Sequence, residues 1–261
     1  MNNIRLEVFP QGKRFCVTFS YDDGKFNDIR LCELFKKYGL KATFNLNSST
    51  IGNDSYISEQ DVKNMVADGF EIAVHSVHHP LLETLPNELI VNEILEDKRA
   101  LEKLTGKIIT GMAYPFGTYD DRVIEIAKNC GIKYSRTIKN NNYLMPTDFM
   151  EWHSTCHHRD MAKYIPLPDN LWKRILYVWG HSYEFNTEEL WAEFEENLKQ
   201  IAFKDDVWYA TNGEIYEYIT AQKSLVFSAN KDMVYNPSAI DVWILVNNVK
   251  VEVKSGQTVK I

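Results

Sequence analysis

Cysteine is scarce in this 261-residue chain: Cys16, Cys32, Cys130 and Cys156 stand far apart and never as a CxxC pair. That spacing offers no disulfide framework, so reduced, buried thiols are expected. Long apolar runs are missing too. Nothing approaches the roughly 20 residues that a membrane helix needs. The opening Met1-Asn2-Asn3-Ile4-Arg5-Leu6-Glu7 lacks the basic-then-apolar pattern of a secretory signal, and a cytoplasmic location is the expectation. Positive charge is in deficit, with 29 Lys and Arg against 36 Asp and Glu, a net charge of −7. An acidic, interspersed balance argues against a nucleic-acid backbone as the partner, while leaving a neutral or cationic polysaccharide open. No internal repeat or low-complexity tract is visible.

What is present is an alternation of strand-like and helix-like segments. Strands are expected over 15–20, 41–46, 70–74, 108–114, 132–136, 151–155, 174–180 and 206–211. Helices are expected over 27–38, from Ser58 to near Gly69, over 86–105 with Leu89, Ile90, Ile94, Leu101 and Leu104 on the apolar face, and over 119–129, 187–203 and 214–222. This grammar implies a parallel sheet with right-handed crossovers. About eight strands approach the number needed for an α/β barrel, although an open doubly wound sheet also places ligands beyond strand ends. Near residue 224 the period changes to two. Val249, Val251 and Val253 alternate with charged residues, and Asn247-Asn248 marks a hairpin turn. Residues 1–223 therefore read as the catalytic barrel and 224–261 as a small all-β appendage packed on it.

Polar groups gather at the expected strand ends. Asp22 and Asp23 are adjacent carboxylates that repel each other and fill no core, and a divalent cation is the simplest partner for both. An Asp-rich turn with Gly24 at positive φ is the bland alternative. His75-Ser76-Val77-His78-His79 supplies imidazoles after another strand. One carboxylate with two imidazoles makes a metal site with open positions, and the second carboxylate is left as a base. Tyr114, His181 and Thr211 also fall at strand ends.

These segments resemble a known family. Thr18-Phe19-Ser20-Tyr21-Asp22-Asp23-Gly24 resembles the TFDDG segment of the NodB-type polysaccharide deacetylases, carbohydrate esterase family 4. His75-Ser76-Val77-His78-His79 is similar to that family's H-[ST]-x-x-H, and Ala113-Tyr114-Pro115-Phe116-Gly117 to its R-x-P-[YF]-G. Trp179-Gly180-His181 is similar to its late strand-end histidine. The resemblance covers roughly the first 220 residues. It implies a distorted (β/α) barrel of about seven to eight parallel strands that removes acetyl groups from N-acetylated sugars. It implies that Asp23, His75 and His79 bind a divalent metal, zinc first, with cobalt, nickel or manganese as alternatives. Asp22 would be the general base, His181 the general acid, and the Phe116 N–H an oxyanion donor. Such a set suits amide hydrolysis: a Lewis acid for a poor electrophile, a base for water, and an imidazole for the leaving amine.

There are departures. Ala113 stands where the family has the arginine that supports the base, so an unidentified donor must orient Asp22. The family's Asp/Trp segment is indistinct, with Trp152 and either Asp148 or Asp160 as candidates. The stretch from Glu151 to Asp160 holds His153, Cys156, His157, His158 and Asp160, which could form a second metal site, a substrate wall or a structural cluster. His78 should project away from its neighbours. Tyr114, Pro115, Trp152, Trp179 and Trp208 are candidate sugar-binding residues, with core packing as the alternative for each ring. Glu214 could cap a helix or hold His181. A carbohydrate substrate is expected, with no nucleic acid and no membrane span. Competing readings are a small-amide or cyclic-imide hydrolase, an O-acetyl esterase and a non-catalytic carbohydrate-binding relative.

Overall fold

The computed structural model describes residues 2–169 and 172–261. The strands are β1 (Ile4–Arg5), β2 (Phe15–Asp22), β3 (Ala42–Leu46), β4 (Glu71–Val74), β5 (Gly111–Ala113), β6 (Tyr134–Asn140), β7 (Trp152–Ser154), β8 (Cys156–His157), β9 (Arg174–His181), β10 (Val207–Tyr209), β11 (Val226–Phe227), β12 (Met233–Tyr235), β13 (Val242–Val246), β14 (Val249–Val253) and β15 (Thr258–Lys260). The helices are α1 (Asp28–Lys37), α2 (Glu59–Ala67), α3 (Asn87–Thr105), α4 (Asp121–Asn129), α5 (Glu188–Ile201) and α6 (Asn212–Lys223).

Strands β7-β6-β5-β4-β3-β2-β9-β8 form one parallel path, and β10 joins it on β2. The path closes because β7 and β8 are separated only by Thr155. Thr155 donates its N–H to the Tyr177 carbonyl (2.8 Å) and its hydroxyl to the Ile175 carbonyl (2.8 Å). The chain thereby leaves β6 and joins β9 within one residue. The strand expected over 151–155 is β7, and β8 is an additional short strand beyond it. Another distortion lies at β2. Strand β9 covers one edge of β2 from end to end, so β10, paired to Phe15–Val17, and β3, paired to Phe19–Asp22, share the other. The result is a nearly closed α/β barrel, distorted as expected.

Local chemistry explains the helix starts. Ser58 and Asp61 form a reciprocal capping box at α2, and Thr211 and Glu214 form another at α6. Glu214 is thereby spent on capping and does not reach His181. Helix α3 buries Ile90, Ile94 and Leu101, while Leu89 faces solvent. The core beneath α1 and α5 is aromatic: Phe19 packs on Phe35 at 4.7 Å and on Phe194 at 6.3 Å.

At the C-terminus β13 and β14 form the expected hairpin, with Asn247 and Asn248 at φ 51° and 67°. Two such residues give the turn whose twist matches the flanking strands. Strand β1 pairs antiparallel with β13, and β11-β12-β15 form a further small sheet. Ile4 and Leu6 thus pack with Val234, Ile244 and Val253 in a second core. Among the described residues no helix is long and apolar enough to cross a membrane.

Candidate metal and acid–base site

The parallel barrel carries the C-terminal ends of β2, β4 and β9 to one face, which is where the barrel's strand ends deliver functional groups. Asp22 is the last residue of β2 and Asp23 follows at φ 76°. Its N–H is tied to the Asn45 carbonyl at 3.0 Å. His75 follows β4. Its Nδ1 lies 2.8 Å from the Ala113 carbonyl, which fixes the proton on Nδ1 and leaves the Nε2 lone pair free. That Nε2 lies 3.7 Å from Asp23 Oδ1, and His79 Nε2 lies 3.8 Å from the same oxygen. One donor atom from each of Asp23, His75 and His79 falls within 4.8 Å of the others. A two-imidazole, one-carboxylate set in this arrangement fits a divalent cation. Burial holds the His75 pKa below its ordinary value against the pull of Asp22 and Asp23, so the imidazole is neutral and able to ligate. His78 points away, as expected, and pairs with Glu93 at 2.7 Å.

Two residues that the linear pattern did not disclose hold the first of these. Asn45 donates to Asp22 Oδ1 at 2.8 Å. Arg136, on β6, donates from Nη2 to Asp22 Oδ2 in a buried ion pair. Arg136 is the register partner of Ala113 on β5. The missing arginine is therefore replaced from the next strand, and the methyl of Ala113 leaves space for it. Burial pushes the Asp22 pKa up, but Arg136, His75, His181 and Asn45 outweigh it and keep the carboxyl below its usual range. The sequence does not single out Arg136, because it stands between Lys133 and Lys139 in the same extended run. A third supporting residue is Asp97 of α3. It accepts the Ser48 N–H at 2.7 Å and the His75 N–H at 3.0 Å.

His181 ends β9 with Nε2 4.0 Å from Asp22 Oδ2 and Nδ1 3.4 Å from Glu184 Oε1. Burial lowers its pKa, but Glu184 and Asp22 raise it more, so it lies above the ordinary imidazole value. Glu184 is a hub. Its Oε2 lies 2.9 Å from His157 Nε2 and 3.1 Å from His158 Nε2, and Arg159 reaches Oε1 at 3.3 Å. Burial would push the Glu184 carboxyl up, yet His157, His158 and His181 drive it far below the usual range.

This geometry corrects the second cluster. His157 and His158 converge on Glu184, which the sequence did not single out. His153 instead meets Thr137 Oγ1 at 2.7 Å, and the exposed Asp160 pairs with Lys163 at 2.6 Å. His157 Nδ1 accepts the Arg159 N–H at 3.3 Å, which places that imidazole's proton on Nε2, facing Glu184. His157, His158 and Glu184 each bring one donor atom within 4.8 Å of the others, as the first trio does, and burial holds the His158 pKa down to about 4, so that ring is neutral and able to ligate.

The aromatic candidates divide. Trp179 is at the site, 5.6 Å from the His181 ring and 4.6 Å from the Arg136 guanidinium. Phe116, at φ 57° in the Pro115–Gly117 turn, is 54% exposed and packs 4.4 Å from the His79 ring. Pro115 is buried, and so is Tyr114, which donates its hydroxyl to the Met150 carbonyl at 3.0 Å. Two candidates are corrected. Trp152 is 0% exposed and boxed by Tyr134, Phe149 and Tyr177, so no sugar can stack on it. Trp208 pairs with Cys16, about 20 Å down β2 from Asp22 at ~3.3 Å per residue, and packs on Phe9 and Tyr218. The short strand β10 sits at the foot of the barrel. Beside the metal trio opens a cleft of about 710 Å³, lined by Asp23, Lys25, Ser49, Tyr56, His79 and Tyr183 among others.

Known proteins match this architecture. The polysaccharide deacetylase family profile matches residues 10–135. The Bacillus subtilis (strain 168) protein YxkH, assigned to the polysaccharide deacetylases, is 27% identical over 47% of this chain and 44% of its own length. The peptidoglycan-N-acetylglucosamine deacetylase PgdA of Listeria monocytogenes is 32% identical over 48% of this chain and 26% of its own. The match thus spans less than half of either relative. A solved structure from Mycobacterium smegmatis, assigned to the polysaccharide deacetylases, shares the fold at a TM-score of 0.64. It is 17% identical, and the likeness covers 85% of this chain and 96% of that one. The matched stretch, residues 10–135, carries Asp22, Asp23, His75 and His79, and it is there that the chain is similar to the polysaccharide deacetylase family.

Proposed function

We propose that this chain is a metal-dependent hydrolase that removes N-acetyl groups from an acetylated sugar or polysaccharide. The observation that carries the reading is the position of Asp22. It stands outside the Asp23–His75–His79 trio, with Oδ2 3.9 Å from His75 Nε2 and 4.0 Å from His181 Nε2. A carboxylate poised between a cation site and an imidazole has the placement of a general base opposite a general acid.

Asp23, His75 and His79 would hold the cation, and their mixed nitrogen and oxygen donors suit zinc. When bound, the ion supplies Lewis acidity toward the acetyl carbonyl. The chain's own groups do the rest. Asp22, kept ionised by Arg136 and Asn45, takes the proton of the attacking water as its oxygen bonds to the carbonyl carbon. The Phe116 N–H, in the turn facing His79, can donate to the oxyanion. His181 then gives its Nε2 proton to the departing nitrogen as the C–N bond breaks, with the Glu184 carboxylate 3.4 Å from Nδ1 favouring the charged ring. Acetate and a free amine leave. The acid and the base should each contribute about 10²–10⁴ in rate.

The test pairs metal content with acetate release from chitin oligosaccharides. Asp22→Asn should lose turnover and keep its metal, whereas His79→Ala should lose the metal. An Asp22→Asn variant with near-normal turnover would remove that residue as the base. Release of acetate only from O-acetylated sugars would favour the esterase reading.

A further inference from the structure

The cleft beside the metal trio has an unusual charge balance. The chain as a whole carries −7, yet among the described residues the only carboxylate lining this cleft is Asp23, a candidate ligand whose charge a bound cation would offset. The lining also holds the Lys25 ammonium and the imidazoles of His78 and His79. His78 is matched to Glu93, and His79 faces Asp23. Among the described residues no carboxylate lies within 4.0 Å of the Lys25 ammonium. It rests 3.6 Å from the centre of the Tyr56 ring. Several other lysines do meet acids, Lys36 with Asp68, Lys37 with Glu195 and Lys163 with Asp160.

Lys25 is also held firmly. It lies two residues beyond Asp23, and its backbone forms an antiparallel bridge to Tyr56. Flanking bonds run from the Phe26 N–H to the Ser55 carbonyl and from the Ile57 N–H to the Gly24 carbonyl, both 3.0 Å. The aromatic face limits where the ammonium can go, so little side-chain freedom remains to be lost on binding. Ser49, Thr50 and Ser55 line the same cleft with hydroxyls able to share an anion.

We infer that Lys25 is a specificity determinant that recognises a carboxylate on the substrate, so that the preferred substrate is an acidic N-acetylated sugar chain. The inference rests on the deacetylase reading for its acetyl group, but not for the ion pair itself. A carboxylate of this kind has two chemical sources, a lactyl ether on an amino sugar or a neighbouring uronic acid.

Binding is measured by calorimetry at low salt, which requires no turnover. The probes are three tetrasaccharides: a neutral N-acetylglucosamine oligomer, one containing N-acetylmuramic acid, and one alternating N-acetylglucosamine with glucuronic acid. Wild-type protein should bind one acidic probe about 5- to 10-fold more tightly than the neutral one, and salt should erode that preference. Lys25→Met should abolish the preference, and Lys25→Arg should retain it. The acidic probe that gains identifies the source. Equal affinity for all three, no measurable binding of either acidic probe, or a preference that survives in Lys25→Met overturns the inference. An acidic preference without acetate release sinks only the deacetylase reading.

Discussion

At the scale of single residues, the site is a set of charges placed to oppose the effect of burial. Asp22 is 2% exposed and on burial alone would favour protonation, yet Arg136 and Asn45 keep it ionised. His181 is the mirror case. Burial alone would favour the neutral ring, and Glu184 reverses that. Glu184→Gln removes the anion that raises the His181 pKa, so that pKa falls. The acid form is then lost at lower pH, and the alkaline limb of kcat/KM should move downward. A pH–rate profile checks this, and a limb that stays in place would show Glu184 to be merely structural. The same shift has a stability side. Because the folded pKa of His181 lies above its unfolded value, its contribution is fully present below the unfolded value and is lost as pH rises through the folded one.

At the scale of elements, the metal trio depends on a helix that contributes none of it. Asp97, buried on α3, uses its two carboxylate oxygens for two backbone donors, Ser48 after β3 and His75 after β4. It thereby clamps two strand ends in register. Asn at this position keeps one acceptor, for Ser48, and turns its N–H₂ toward His75, whose N–H retains the Leu46 carbonyl at 3.1 Å, so one hydrogen bond is lost and no donor is orphaned. The expected cost is about 0.5–1.5 kcal/mol. For a chain of this size that is about 2–4 °C in Tm per kcal/mol, readable by calorimetry. Metal affinity should fall with it, because His75 loses one of its anchors. Sequence periodicity could not have supplied this link. Asp97 falls among the residues of an amphipathic helix as one acid of many, and only the packing of α3 on β4 distinguishes it from solvated neighbours such as Glu96.

At the scale of the whole molecule, the barrel was readable because alternating strands and helices obey local rules: apolar runs, capping boxes, glycine stops. The candidate metal trio could be proposed from the sequence for a different reason, since each of its residues sits at or just after a strand end within a short contiguous motif. What escaped the sequence is what depends on neighbours across the sheet. Trp152 sits at a strand like Trp179, but only the fold shows that one is boxed in by aromatic rings and the other lies beside His181. Glu184 is three residues from His181, yet its role needs His157 and His158, which arrive from β8 and the turn after it. Arg136 is the clearest instance. Read along the chain, position 113 is a defect. Read across the barrel, Ala113 and Arg136 are adjacent seats on one rung, and the guanidinium has moved sideways from one to the other. Seats that close should be exchangeable. Arg136→Ala alone strands the Asp22 charge in the interior, with an expected loss of about 3–5 kcal/mol in stability and a collapse of turnover. Adding Ala113→Arg on that background should return a large part of both, as measured by thermal unfolding and acetate release. Such a rescue would make the cation's address a property of the rung rather than of either strand.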